Sequence, residues 1–385
     1  MNRIQSNGEL KSMSDFSGLA ARPFRILVGG YINLNVIDGS AFFLAGVCAM
    51  CAQVPNIEVV LVSANPISRR EVVSELDIFP NVTVVDPFEA RGQLHLKDSK
   101  SASNVSREQY ASVVSEWLDS EEFDAVIIRD TEVGLMLSER SSEFRSKGCV
   151  YVTGVTSNSS DISRQTRQAL AKLHALEVKL LFQTQDMLDR LEALDIEVDS
   201  SRVSILPPHV PDVLGPRLTK AERNPEKPVR FIYAGKFFPA WNVDLILAGF
   251  KAAKSRSLVR MELDVAGNQF REDPHQPSFI GNVKYLLENT PGIHWLGGMT
   301  RWDTREAISK ADVGISWRRP SLDSSTELST KVLEYGVMGL PVILNRTPAH
   351  EALLGTDYPL FANSMTEFKN ALLLAASKPE VCADA

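Results

Sequence analysis

The chain lacks most of the marks by which an enzyme of its length is commonly recognised. No Asp-x-Asp occurs in its 385 residues and the six histidines are scattered, so no Mg²⁺ or Mn²⁺ site is indicated and no metal or other cofactor is expected. No Gly-x-x-x-x-Gly-Lys-Ser/Thr is present, which excludes the common NTPase loop, and the first apolar run is not followed by Gly-x-Gly-x-x-Gly, so a dinucleotide fingerprint is not supported. Cysteine is sparse: Cys48, Cys51, Cys149 and Cys382. The Cys48-x-x-Cys51 pair has no second pair and lies in an apolar stretch, so it reads as a buried helical face rather than a zinc site, in a chain suited to a reducing, cytosolic compartment. No long basic run exists and the formal net charge is −7, which argues against nucleic acid as a partner. No apolar run reaches transmembrane length, and residues 1–22 are polar without a signal-peptide core, so they read as a flexible tail.

What remains is an ordinary globular composition, 44% hydrophobic and 23% charged, too long for a single core. Two domains are expected. Short apolar runs begin at Phe24, Val59, Val82, Asp124, Cys149, Lys179 and Val203, with helical patterns between them, including 69–76, 107–118 and 133–146. Strands alternating with helices imply right-handed crossovers and a parallel sheet. Prolines at 207, 208, 211, 216, 225 and 228 then crowd one stretch that neither a helix nor a central strand tolerates. Alternation restarts at Val229. The boundaries expected are 23–206 for the first domain, 207–228 for the linker, 229–364 for the second domain and 365–385 for a C-terminal helix and tail. The fold class is α/β, with two doubly wound, Rossmann-like halves facing across a cleft.

In such sheets ligands sit beyond the carboxyl ends of the strands. In the first half that face holds Gly29, Gly30, Arg129, Asp130 and Gly154, and Asp38-Gly39-Ser40 opens the first helix. Each has a bland alternative: a tight turn for the glycines, a surface ion pair for Arg129-Asp130, and helix caps for Asp38 and Ser40. The long polar segment 87–106 is either functional or mobile.

In the second half, Gly235-Lys236, Gly267-Asn268, Gly297-Gly298-Met299 and Arg318-Arg319 all end strands. The stretch 321–351 then reads as a polar loop, a helix apolar on nearly every side, and a buried strand. Lys331 and Glu334, three apart on one face of that helix, break its apolar character. They either pair with each other or serve a ligand. Lysines and helix N–H groups converging on one place describe a diphosphate site, and a carboxylate deeper in the helix suits a ribose or sugar diol.

Four segments, Tyr233-Ala-Gly-Lys236, Leu263-Asp-Val-Ala-Gly267, Ile293-His-Trp-Leu-Gly-Gly298 and Ser325 through Val342, occur in the order of the donor domain of retaining GT-B glycosyltransferases of family 4, and the second half resembles that domain. The first half resembles the acceptor domain more loosely, at Gly29-Gly30, Phe182-Gln-Thr184 and Ile205-Leu-Pro-Pro. The resemblance implies a metal-independent retaining transferase moving a sugar from a nucleotide-diphosphate donor to a glycan or lipid-linked acceptor. Such enzymes work in the cytoplasm, some in peripheral contact with the inner face of the membrane, on polysaccharides of the cell envelope. It implies that Lys236 contacts the diphosphate and that the amides of Ser329, Thr330 and Lys331 cap it. Glu334 would take the ribose, Glu327 would lie near the donor sugar, and Gly297, Gly298 and Met299 would border the base. Lys236, Lys331 and Glu327 would be the catalytic groups, with Gly235 and Gly267 also at the donor. Acceptor residues would be Gly29, Gly30, Asp38, Gly39, Ser40, Arg129 and Asp130.

Two departures bear on this. Glu327 and Glu334 stand one residue closer than is common in the family, so either Glu327 or loop amides face the sugar. Where the family often has a second basic residue, Lys-Gly, this chain has Trp241-Asn242, so either Lys331 replaces that charge or phosphate binding is weaker. A non-catalytic partner subunit of the same fold, and a sugar epimerase or phosphorylase, are the competing classes.

Overall fold

The structure, a computed structural model, describes residues 22–37, 39–87, 105–153, 155, 162–194, 196–210, 224, 226–323, 329–378 and 381. Asp38, Gly154 and Glu327 lie outside the described residues, as do the tail 1–21, most of the segment 87–106 and half of the linker prolines.

The first domain is built on strands β1 (Phe24–Gly30), β2 (Ile57–Val62), β3 (Val82–Val85), β4 (Ala125–Arg129), β5 (Gly148–Tyr151), β6 (Lys179–Phe182) and β7 (Val203–Ile205). They pair in parallel in the order β3-β2-β1-β4-β5-β6-β7. Helices α1 (Gly39–Ala52), α2 (Arg107–Ser120), α3 (Thr131–Arg140), α4 (Ser142–Lys147), α5 (Arg164–Ala175) and α6 (Gln185–Glu192) cover both faces. Covering both faces explains the unbroken apolar runs of the strands. In β1, Ile26 and Val28 face a core shared with α1, while Leu27 faces the core of α2 through α6.

The second domain repeats the plan with β8 (Val229–Ala234), β9 (Met261–Ala266), β10 (Ile293–Gly297), β11 (Val313–Ser316) and β12 (Val342–Leu344), ordered β10-β9-β8-β11-β12 and all parallel. Its helices are α7 (Val243–Lys254), α8 (Phe279–Asn289), α9 (Arg301–Ser309), α10 (Thr330–Val337), α11 (Pro348–Leu354) and α12 (Met365–Ser377). The helix α12 belongs to this core. Phe368 stacks on Trp317 with ring centroids 4.5 Å apart and planes within 8°, and Gly249 of α7 makes room for it. Strand order reverses between β1 and β4 in one sheet and between β8 and β11 in the other, and crevices at such points are where ligands bind.

Several local expectations are corrected. The pattern at 69–76 forms only a 3₁₀ turn, Val73–Leu76, because the Asn35 carboxamide accepts the Ser68 and Arg69 amides, both at 2.8 Å, and holds the preceding chain in a loop. The pattern at 133–146 breaks into α3 and α4 at Ser141, whose extended backbone and side-chain cap to the Phe144 amide start a new helix. Arg129 is the last residue of β4 rather than the one after it.

Candidate functional site

The carboxyl end of β8 turns sharply. The Tyr233 hydroxyl donates to the Lys236 carbonyl at 2.7 Å, and the Gly235 amide donates to the Ala266 carbonyl at 2.9 Å. A Cβ on Gly267 would lie 2.1 Å from the Gly235 carbonyl oxygen, so the ends of β8 and β9 approach too closely for any side chain there. Gly235 has φ +155, and a Cβ on it would lie 2.7 Å from Lys331 Cε and 2.8 Å from Lys331 Nζ. The lysine thus reaches from the first turn of α10 to the end of β8 and ends beneath a glycine.

Its ammonium is held by aromatic faces. Nζ lies 4.3 Å from the Tyr233 ring centroid, 4.8 Å from that of Trp241, and 3.3 Å from the Tyr233 hydroxyl. Burial pushes its pKa from 10.5 down to about 7; Arg318 and Lys236 push the same way and Glu334 opposes them. Lys331, Lys236 and Arg318 thus act on one another in this crevice, a grouping of cations suited to an anionic ligand. Trp241 occupies the place where a second basic residue was missing, and Lys331 stands over its ring.

Helix α10 starts at the same place. Ser329 is its N-cap residue but makes no side-chain cap; its hydroxyl lies 3.5 Å from that of Ser316. The helix is amphipathic rather than buried all round. Val332 and Tyr335 face the core, while Val337 is 57% exposed. Tyr335 accepts the Ala234 amide at 3.1 Å and fits under Gly314, fixing α10 against β8 and β11.

Glu334 does not pair with Lys331. Its Oε1 lies 3.5 Å from Nε of Arg301, a buried residue at the start of α9. Arg301 Nη1 in turn lies 2.9 Å from Glu75 Oε2 in the first domain, and its guanidinium sits 4.3 Å from the Phe42 ring centroid. Burial raises the Glu75 pKa, opposed chiefly by Arg301. Beside this bridge a cavity of about 590 Å³ opens between the domains, walled by Ser74 and Glu75 on one side and Thr300, Arg301 and Trp302 on the other.

The first domain also meets this end of the second domain directly. A Cβ on Gly39 would lie 3.0 Å from the Thr330 hydroxyl, so the N-termini of α1 and α10 face each other, and Gln269 donates to the Ile37 carbonyl at 3.3 Å. Of the residues singled out from sequence, Gly235, Lys236, Ser329, Thr330, Lys331 and Gly39 converge here, with Glu334 one turn along α10. Gly297 takes the left-handed turn its φ of +73 requires and accepts the Gly267 amide at 2.7 Å; Met299 packs on the second-domain core.

The other first-domain candidates have structural duties. Gly29 leaves space for the Tyr110 hydroxyl, which would lie 2.6 Å from a Cβ, and Gly30 lies against the Arg129 carbonyl. Asp130 caps α3 through the Glu132 and Val133 amides and pairs with Arg107 at 3.1 Å, not with Arg129. Arg129 lies over Phe43 at 5.6 Å. Ser40 is in the first turn of α1. Sequence reasoning missed Arg301 and Glu75, for which it offered no signal. Among the described residues no group of three or more His, Cys, Asp or Glu side chains could hold a metal ion, and no helix is long and apolar enough to cross a membrane.

Residues 228–378 match the family model for glycosyl transferases group 1. No curated protein matches the chain. Among solved structures, HepE of Anabaena in complex with UDP and glucose is 10% identical, with 94% of this chain and 92% of that one covered and a TM-score of 0.65. Sucrose-phosphate synthase of Thermosynechococcus elongatus is likewise 10% identical, with 94% and 92% covered and a TM-score of 0.66. A mutant TarM of S. aureus in complex with Fondaparinux, α-GlcNAc-glycerol and UDP is 8% identical, with 94% of each chain covered and a TM-score of 0.65. These likenesses show the GT-B fold over 94% of the chain.

Proposed function

We propose that this protein is a retaining glycosyltransferase that moves a sugar from a nucleotide-diphosphate donor to a glycan or lipid-linked acceptor. The observation that carries the proposal is the Lys331 ammonium, enclosed at the end of β8 beneath Gly235 and beside an α10 N-terminus that has no side-chain cap. Support comes from the family match, which spans residues 228–378 where these groups lie, and from UDP in two of the similar structures.

In this reading the diphosphate lies across the N-terminus of α10. Lys331, Lys236 and the amides of Ser329, Thr330 and Lys331 take its charge, without a dedicated metal. Glu334 accepts hydrogen bonds from the ribose hydroxyls, and the base enters the cavity bordered by the turn after β10. Glu327 or neighbouring loop amides meet the sugar. As the anomeric C–O bond to the diphosphate breaks, the acceptor oxygen bonds to the same face and its proton passes to the departing phosphate oxygen. No protein nucleophile is needed. The chain's contribution is to hold the acceptor, stabilise the leaving charge and exclude water. The acceptor would lie along the first-domain face that includes Gly39 and Ser40, and the setting would be the cytoplasm, with or without contact at the inner face of the membrane.

Isothermal titration with uridine, guanosine and adenosine diphosphates tests this. One of them should bind, and Lys236→Ala and Glu334→Ala should each weaken it about tenfold or more, the scale of a lost charge-assisted hydrogen bond. Binding of none would sink the reading. Binding without donor hydrolysis or transfer would favour the partner-subunit class, and release of an isomerised sugar without acceptor would favour the epimerase.

A further inference from the structure

We propose that Arg301 is a positioning residue that makes ribose binding at Glu334 depend on closure of the first domain. The inference rests on the donor-site reading above and adds to it a link between the two domains.

Arg301 belongs to the second domain by sequence, yet the first domain supplies much of its enclosure. Its side chain is 6% exposed, and its guanidinium is bounded by the Glu75 carboxylate at 2.9 Å and the Phe42 ring at 4.3 Å, both from the first domain. The remaining edge faces Glu334. Nε approaches Glu334 Oε1 at 3.5 Å and has no hydrogen-bond partner. That separation is longer than the roughly 2.7–2.9 Å of a strong charge-assisted hydrogen bond. The carboxylate is thus oriented while it retains lone pairs for two hydroxyls.

A purely structural bridge would need only Glu75. The third group is what gives the arrangement a function, because Glu334 is the carboxylate assigned to the ribose. Moving the first domain away removes both Glu75 and Phe42. Arg301 would then be a long, solvated side chain with its rotamers restored, and Glu334 would lose its fixed neighbour. Ribose engagement and domain closure would therefore favour each other, since a coupling between two sites is reciprocal.

The test uses the full chain, with Glu75→Gln and Phe42→Leu, two changes that leave Glu334 and Arg301 in place. Whichever of uridine, guanosine or adenosine diphosphate the wild type binds is compared with its 2′,3′-dideoxy form by titration calorimetry. Couplings of this kind amount to about 5–150-fold. The ribonucleotide should bind either variant at least about fivefold more weakly, while the dideoxy form, having no hydroxyls for Glu334, should change less than about twofold. Equal loss for both ligands, or no loss for either, overturns the proposal. If Glu334→Ala weakens binding but neither first-domain variant does, the donor reading stands and the coupling falls. If the wild type binds no nucleoside diphosphate, both fall together. Glu75→Gln keeps a carboxamide that can accept from Arg301, and Phe42→Leu disturbs no charge, so a fold lost in one variant leaves the other informative.

Discussion

Replacing Lys331 with methionine should stabilise the fold and disable the site. The lysine is held where its charge is disfavoured, with a pKa lowered from 10.5 to about 7 by burial and by Arg318 and Lys236. A displacement of that size costs the charged form about 4–5 kcal/mol relative to water. Contact with the Tyr233 and Trp241 rings offsets part of it, at about 0.5–2 kcal/mol each. Methionine matches the stem of the lysine in length, fits against the same rings and carries no charge. The expected net gain is about 1–3 kcal/mol, within the range seen when buried ionic groups are replaced by apolar ones. For a domain of this size that is a rise in melting temperature of about 3–10 °C. Affinity for the nucleoside diphosphate should fall about 10–100-fold in the same variant, from the loss of one or two charge-assisted hydrogen bonds. The pH dependence gives an independent check. Between pH 7 and 10.5 the unfolded lysine still binds a proton that the folded one has released, so wild-type stability rises with pH through that window. Methionine has no such linkage, and its advantage should shrink from pH 7 to pH 10. Thermal melts across that range and titration calorimetry at pH 7.5 measure both effects. A methionine variant that melts lower and binds normally would refute the reasoning.

Two further substitutions separate the site from its scaffold. Gly235→Ala places a methyl 2.7 Å from Lys331 Cε at a backbone φ of +155, so the ammonium must leave its seat; calorimetry should show donor affinity reduced about tenfold or more, and unchanged affinity would remove Lys331 from the site. Tyr110→Phe removes the hydroxyl that donates to the Val62 carbonyl at 2.8 Å and accepts the Gly30 amide at 3.0 Å. Leaving those buried groups unmatched should cost about 1–3 kcal/mol in urea unfolding. Nucleotide binding by the second domain should be unaffected, and an unchanged unfolding midpoint would mean that the Gly29-Gly30 end of β1 is not built around this tyrosine.

The sheets were legible because parallel strands are buried on both faces and so read as continuous apolar runs, as Ile26 to Val28 and Phe231 to Tyr233 do. Local sequence misled where a distant side chain decided the backbone. The segment 69–76 has a helical pattern, but its first amide and the one before it go to Asn35, which a local window does not contain. Helix α10 misled for another reason. Its apolar residues are numerous, yet the buried ones, Val332 and Tyr335 with Met338 at the C-cap, fall every third position and leave Val337 outside. Periodicity carried the burial, and abundance did not.

The grouping of Lys236, Lys331 and the start of α10 was legible in the sequence, and the geometry that joins them only partly so. The proposed phosphate seat draws on Lys236, Lys331 and the start of α10, and Trp241-Asn242 stands where the related domain often has a second basic residue. What no local pattern could show is that these are one fact. Lys331 reaches the end of β8, and Trp241 supplies one of the two rings over which its ammonium rests. A lysine at 241 would set a second ammonium beside one whose pKa burial, Arg318 and Lys236 have already lowered. Like charges that close in a poorly solvated enclosure cannot both stay protonated. An aromatic face at that position instead stabilises the single cation by its quadrupole. Of the two readings of Trp241-Asn242, replacement of the missing charge by Lys331 is the one this contact favours, because the tryptophan gives a lysine arriving from α10 a face to rest on.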